Sequence, residues 1–105
     1  MAASTWTSFT YCCVSVDAPW VEPIAVAIAA VDAVLFVTPE YNRDIPGPLK
    51  NAIDWASRPW GTNSFANIPS GVIGTSPGAI GTAVGQQHLR SILGFLNSPQ
   101  MNAPE

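Results

Sequence analysis

The fold is decided by the stretch Ala33-Val34-Leu35-Phe36-Val37, which is followed at once by the polar stretch Thr38-Pro39-Glu40-Tyr41-Asn42-Arg43-Asp44. An apolar block without alternation predicts a strand that is buried on both faces of a parallel sheet. The polar segment is then a loop at the carboxyl end of that strand. In open α/β sheets, ligands bind beyond the carboxyl ends of the strands. We therefore expect a binding site to begin at this loop.

Apolar residues on both sides of this strand recur at helical spacing. A first helix is expected from Val21, and a second helix begins at Pro48 and ends before Pro59. The second helix carries the apolar stripe Leu49, Ala52, Ile53 and Ala56. Within it, Asp54 and Arg58 have the i, i+4 spacing of an ion pair.

A second strand is predicted at Ser70–Gly74, and a third helix at about Ile80–Leu96. The stripe of the third helix consists of Ile80, Ala83, Val84, Ile92, Phe95 and Leu96, with His88 on the same face. No further strand is predicted behind it. The order helix–strand–helix–strand–helix predicts an α/β sheet with parallel strands.

Composition narrows the range of functions. The chain has 105 residues, 10% charged residues and a net charge of −3, so we expect one domain that binds no nucleic acid. No apolar stretch approaches the roughly 20 residues of a membrane span, and no secretory signal is visible. We expect a cytoplasmic protein that is not bound to a membrane. Cys12 and Cys13 are the only cysteines and there is one histidine, so no metal site and two reduced thiols are expected.

A second candidate loop, Gly74–Gly81, follows the second strand. Together the two loops offer backbone N–H groups, a stacking Tyr, hydroxyl groups and a Gly that allows close approach, which suit a planar polar heterocycle such as a flavin. The candidate cofactor-binding residues are Pro39, Glu40, Tyr41, Asn42, Thr75, Ser76 and Gly78. The Pro and Gly residues of both loops are equally typical of ordinary turns without a ligand. The Gly-x-x-Gly spacing of Gly78 and Gly81 at a helix start is a weak signal for an anion.

Most of the chain from about residue 24 onward resembles the NADPH-dependent FMN reductase family, which includes quinone and chromate reductases and relatives of azoreductases. The resemblance is carried by Asp32–Arg43, Ile45–Trp55, Ser57–Pro59, Gly71–Thr82, Gln87–Arg90 and Met101–Glu105. It implies the central βαβα portion of a flavodoxin-like, doubly wound parallel sheet. Pro39–Asn42 then resemble the loop that lines the flavin ring, and Thr75 and Ser76 resemble the loop near its pyrimidine side.

The resemblance also implies what the protein does. Such enzymes take a hydride from NAD(P)H onto FMN and pass electrons to a quinone, azo compound, metal oxyanion or free flavin. The flavin carries the chemistry, so no catalytic side chain is expected. The family implies a homo-oligomer, a dimer or a tetramer, for which the apolar third helix is the candidate face.

The sequence departs from the family at its start. Residues 1–20 contain no loop of the kind that holds the FMN phosphate, and we interpret them as a poorly organised segment unrelated to the family. Residues 21–105 are interpreted as a partial FMN reductase domain. The alternative is an inactive fragment, or a protein-interaction module, that lacks the flavin phosphate loop.

Overall fold

A computed structural model describes Pro19 and residues 21–102. Its elements are α1 (Val21–Ala29), β1 (Val34–Val37), α2 (Gly47–Ala56), β2 (Ser70–Ile73) and α3 (Ala83–Phe95). The predicted order of helices and strands is confirmed. The expected N-terminal segment 1–20, with both cysteines, lies outside the described residues except for Pro19.

The two strands form a parallel sheet in which Val34 pairs with Ser70 and Val37 pairs with Ile73. The ladder continues beyond the strands, because the backbone N–H of Thr38 donates to the carbonyl oxygen of Ile73 at 3.1 Å. This last bond draws together the two loops that follow the strands.

A third segment, which follows α3 in the chain, also joins the sheet. The sequence predicts no strand there. Ser70 forms a parallel bridge with Gln100. Its N–H donates to the carbonyl oxygen of Pro99 at 2.7 Å, and its carbonyl oxygen accepts from Met101 N–H at 2.8 Å. The prediction missed this bridge because a single paired residue leaves no apolar run in the sequence.

The core lies between one face of the sheet and the three helices. Its largest fully buried side chains are those of Phe65, Ile53, Leu89, Leu93 and Val72. The stripe predicted for α2 is borne out at Ile53 and Ala56, which are both buried. None of the helices between residues 21 and 102 has the length and hydrophobicity of a membrane span.

The stripe predicted for α3 is confirmed at Leu96, which is buried, and at Ile92, which packs against the core, but is wrong elsewhere. Leu89, Leu93 and Leu96 face the core, whereas Phe95 is 73% exposed and Ile80 is 51% exposed. The helix begins at Ala83 rather than at Ile80, since Gly81 adopts a left-handed conformation with φ of 63°. Leu89 and Leu93, one turn apart, set the buried face.

Strand β1 is not buried on both faces among the described residues. Phe36 points into the core at 8% exposure, while Leu35 and Val37 on the opposite face are 58% and 71% exposed. Successive side chains of a strand point to opposite faces, so one face of β1 meets the helices and the other does not.

The ion pair expected between Asp54 and Arg58 is absent. Asp54 instead pairs with Lys50, whose Nζ lies 2.6 Å from Oδ2. Because α2 ends at Ala56, Arg58 leaves the helical spacing. Its guanidinium lies over the ring of Trp60, 5.7 Å from the ring centroid.

Candidate functional site

The candidate site lies at the carboxyl ends of β1 and β2, where residues 38–46 and 74–82 form two neighbouring loops. The two backbones approach each other closely where Gly74 meets Thr38. A Cβ on Gly74 would overlap the carbonyl oxygen of Thr38 and lie 2.9 Å from Thr82 Oγ1. Only glycine leaves room for this approach.

The first loop is folded into a tight turn by its backbone. Tyr41 N–H donates to the carbonyl oxygen of Asp44 at 2.7 Å, and Asp44 N–H donates back to Tyr41 at 3.0 Å. The central residues Asn42 and Arg43 have φ values of 52° and 66°. Positive φ at both positions is the conformation of a type I′ turn, which Asn tolerates well. The turn presents the side chains of Asn42 and Arg43 to the cleft.

Glu40 connects this loop to the start of α3. Its Oε2 accepts hydrogen bonds from the backbone N–H groups of Val84 and Gly85, both at 3.0 Å. Its Oε1 lies 3.6 Å from Nη1 of Arg43. The sequence offered the Gly-x-x-Gly segment as a weak anion site at this helix start. In the structure the carboxylate of Glu40 fills that position.

A second connection between loop and helix involves Asp44. Its Oδ1 accepts from the backbone N–H of Ile45 at 2.7 Å and lies 3.2 Å from Nδ1 of His88. The hydrogen bond from Ile45 lowers the pKa of Asp44, and the neighbouring His88 lowers it further. His88 therefore projects from α3 toward the first loop, and half of its side chain is exposed.

The second loop is organised by short-range hydrogen bonds. Gly78 N–H donates to Ser76 Oγ at 3.3 Å, and Gly81 N–H donates to the carbonyl oxygen of Gly78 at 2.9 Å. A Cβ on Gly78 would meet only Ser76 Oγ, at 3.7 Å. The surface above this loop is therefore open.

A cleft with a volume of about 380 Å³ lies between the two loops. Four of the seven predicted cofactor-binding residues line it, namely Glu40, Asn42, Ser76 and Gly78. Pro39, Tyr41 and Thr75 belong to the same loops but do not line this cleft. Four further residues that line the cleft were not predicted from the sequence: Arg43, Ala79, Ile80 and Gly81. They lie within the two predicted loops, but membership of a loop does not reveal which side chains face the cleft.

A second groove, of about 390 Å³, lies beyond the end of α2. Its walls include Arg58, Trp60 and Phe95, and the rings of Trp60 and Phe95 lie 6.5 Å apart between centroids. Among the described residues, no group of three His, Cys, Asp or Glu side chains is placed to hold a metal ion.

Comparison with known proteins gives consistent matches. The family model of the NADPH-dependent FMN reductases matches residues 6–105. The match starts at residue 6, whereas the domain boundary expected from the sequence lies between residues 20 and 21. A 2-hydroxy-1,4-benzoquinone reductase from a Burkholderia species is 58% identical over 78 residues, which cover 74% of this chain and 43% of the relative. The NAD(P)H-dependent FMN reductase PA1204 from Pseudomonas aeruginosa is 51% identical over 87 residues, which cover 83% and 46%.

Among solved structures, FerB from Paracoccus denitrificans, a flavoenzyme NAD(P)H:(acceptor) oxidoreductase, superposes with a TM-score of 0.79 at 51% identity. The superposition covers 85% of this chain and 50% of FerB. The chain thus spans half or less of the length of these relatives. The expected fold, part of a flavodoxin-like parallel sheet, is confirmed. With the family model matching nearly its whole length, this chain belongs to the NADPH-dependent FMN reductase family.

Proposed function

We propose that this chain forms one side of an FMN site in an NAD(P)H-dependent oxidoreductase. The observation that carries the proposal is the cleft between the two loops, which lies at the carboxyl edge of the sheet. Bound FMN would supply the hydride and electron chemistry, while the protein binds and orients it. The residues proposed to contact FMN are the seven expected from the sequence, with Glu40 acting through its backbone rather than its carboxylate, together with Arg43, Ile80 and Gly81.

The residues of the cleft fit an isoalloxazine ring. The pyrimidine edge of such a ring takes hydrogen bonds from backbone amides, and no described residue accepts a hydrogen bond from the N–H groups of Asn42, Thr75 or Ser76. The flat faces need apolar cover, and Ile80 lines the cleft with half of its surface exposed. Gly78 leaves space for a planar group to approach the backbone.

The chain's own groups bind and orient rather than exchange protons in this proposal. The turn at Asn42 and Arg43 fixes one wall of the cleft, and Ser76 with Gly78 fixes the other. Arg43 is the cation among the lining residues, and its Nη1 lies 3.6 Å from Glu40 Oε1. It therefore offsets a carboxylate that would otherwise disfavour the negative charge of a reduced flavin or a nicotinamide phosphate. The start of α3 is already filled by the Glu40 carboxylate. We therefore do not place the FMN phosphate there.

Quinones are the acceptors that we propose, since quinone reductase names recur among the relatives. The natural context that we propose is a cytoplasmic homo-oligomer, a dimer or a tetramer. The exposed Phe95 of α3 and the adjacent Trp60 form an apolar surface that supports such a contact.

An alternative role is favoured by the exposed face of the sheet. Leu35 and Val37 are largely exposed in the described part of the chain, which fits a module that acts by assembling with another polypeptide. FMN binding by the purified chain separates the two roles.

The test is a titration of the purified chain with FMN, followed by quenching of flavin fluorescence. The proposal expects saturable one-to-one binding at micromolar or tighter affinity and flavin-dependent oxidation of NADH or NADPH with a quinone. Gly78→Leu fills the cleft and is expected to abolish binding. Ala29→Leu, on an exposed position of α1, adds the same side chain elsewhere and should leave binding unchanged. A folded chain that does not quench FMN refutes the proposal and favours the alternative.

A further inference from the structure

The start of α3 is capped by a residue that lies 44 positions earlier in the sequence. Glu40 Oε2 accepts from Val84 N–H, the second residue of α3, and from Gly85 N–H, the third. The first N–H groups of a helix have no acceptor within the helix and carry partial positive charge, so a carboxylate stabilises them. The residue at the usual capping position, Thr82, makes no such bond. Its Oγ1 accepts from Gln86 Nε2 at 2.8 Å instead.

The contact between the first loop and α3 is close as well as polar. A Cβ on Gly85 would lie 3.3 Å from the carbonyl oxygen of Asp44 and 3.4 Å from Cγ of Glu40. The Glu40 side chain is only 8% exposed, although it belongs to a surface loop. The loop therefore rests on the first turn of α3, and Glu40 fixes it there.

The second loop runs directly into this first turn of α3. Anything that fixes the start of α3 therefore also fixes where the second loop ends. Ser76 and Gly78 on that loop face Asn42 across the cleft. One carboxylate thus connects the two walls of the cleft through the helix between them.

We propose that Glu40 is a positioning residue of the flavin cleft. Its carboxylate holds the first loop against the start of α3 and so sets the distance between the two walls. This inference rests on the proposed function, because the cleft that it positions is the proposed FMN site. The charge and both acceptor bonds disappear in Glu40→Ala. Glu40→Gln keeps an oxygen that accepts from the same N–H groups.

The test compares Glu40→Ala, Glu40→Gln and Glu22→Ala in FMN titration, in the visible spectrum of bound flavin and in amide hydrogen exchange. Glu22 is an exposed acid in the first turn of α1 and serves as the matched control. For Glu40→Ala we expect FMN affinity to fall about tenfold or more, because the two walls of the cleft are no longer held at the binding distance. The spectrum of FMN at saturation should shift. Glu40→Gln should recover most of the affinity, and Glu22→Ala should match the wild type.

A core variant that loses a similar free energy of unfolding distinguishes a positioning role of Glu40 from a general loss of stability. Val72→Ala removes two buried methyl groups below the sheet, away from the cleft lining. If Glu40→Ala loses no more FMN affinity than Val72→Ala at an equal loss of unfolding free energy, the inference is overturned. An unchanged spectrum of bound FMN in Glu40→Ala would overturn it as well.

The role of Glu40 can also be tested if the wild-type chain does not bind FMN. In that case the proposed function fails, and amide exchange of the unliganded chain decides on Glu40. Faster exchange at Val84 and Gly85, with altered amide signals at Thr75 and Ser76, supports the positioning role. Unaltered signals from the second loop in Glu40→Ala refute it.

Discussion

Gly74→Ala is expected to separate the two strand ends and to weaken both the fold and the cleft. The added Cβ would overlap the carbonyl oxygen of Thr38, and it would lie 2.9 Å from Oγ1 and 3.1 Å from Cγ2 of Thr82. The overlapping atom belongs to the backbone, so no side-chain rotation relieves the clash. The neighbouring bond from Thr38 N–H to Ile73, at 3.1 Å, lies on the same segment and must shift with it.

The magnitude follows from the cost of overfilling a packed site. Such substitutions cost about 1–3 kcal/mol and occasionally more, and a backbone clash lies at the upper end of that range. For a domain of this size each 1 kcal/mol lowers the melting temperature by roughly 4–8 °C. We therefore expect Gly74→Ala to lower it by about 10 °C or more. The cleft should lose FMN affinity in parallel, because the clash moves one loop relative to the other.

The assay is urea unfolding followed by tryptophan fluorescence, with Gly78→Ala as the matched control. A Cβ on Gly78 meets only Ser76 Oγ at 3.7 Å, which is an ordinary contact. The control should stay within about 0.5 kcal/mol of the wild type, as surface substitutions usually do. A free energy of unfolding for Gly74→Ala that is equally close to the wild type would refute the close approach of Gly74 to Thr38.

Three further outcomes are expected. Asp44→Asn should destabilise the fold at neutral pH, as measured by urea unfolding from pH 7 into acid. Because the pKa of Asp44 in the folded state lies below the ordinary 3.8, the stability advantage of the wild type should hold above that value and disappear as pH falls through the lowered pKa. The same measurement on His88→Gln should show how much of this advantage depends on His88. Arg43→Gly creates an Asn42-Gly type I′ turn and should raise the free energy of unfolding by up to about 1 kcal/mol. The reason is that the left-handed conformation is strained in any residue that has a Cβ. A lower melting temperature would contradict this prediction. Leu89→Ala should cost about 2–5 kcal/mol in urea unfolding, because Leu89 is fully buried, and a cost below 1 kcal/mol would contradict the assignment of the core face of α3.

Sequence reasoning succeeded where the signal is local. The apolar block of β1 and the Pro and Gly residues that bound α2 predicted the order of elements. The carboxyl-end rule for parallel strands then located the two loops of the cleft. Arg43 and Ile80 were missed as lining residues, although both lie in those loops, because position within a loop does not reveal which side chains face inward.

Non-local contacts account for the errors. The role of Glu40 depends on N–H groups 44 and 45 residues away, and no periodicity in the sequence joins them. The exposed face of β1 depends on what packs against it rather than on the strand's own residues. The stripe predicted for α3 includes Ile92 and Leu96, which pack in the core, but it omits the buried Leu89 and Leu93 and adds the exposed Phe95. Ile80 lies before the helix, because the left-handed Gly81 delays the helix start.

The parallel bridges on both sides of Ser70 bear on how the chain folds. Val34 and Gln100 each pair with Ser70 across about thirty or more intervening residues, so neither contact belongs to a hairpin. Forming each one closes a long loop before any pairing energy is gained, and such topologies fold slowly. Helices α2 and α3 lie between these paired segments in the chain. Their packing therefore brings the segments closer together and shortens the conformational search. We therefore expect sheet formation to be the late, rate-limiting event, with β2 joined to both neighbours only after α2 and α3 have docked.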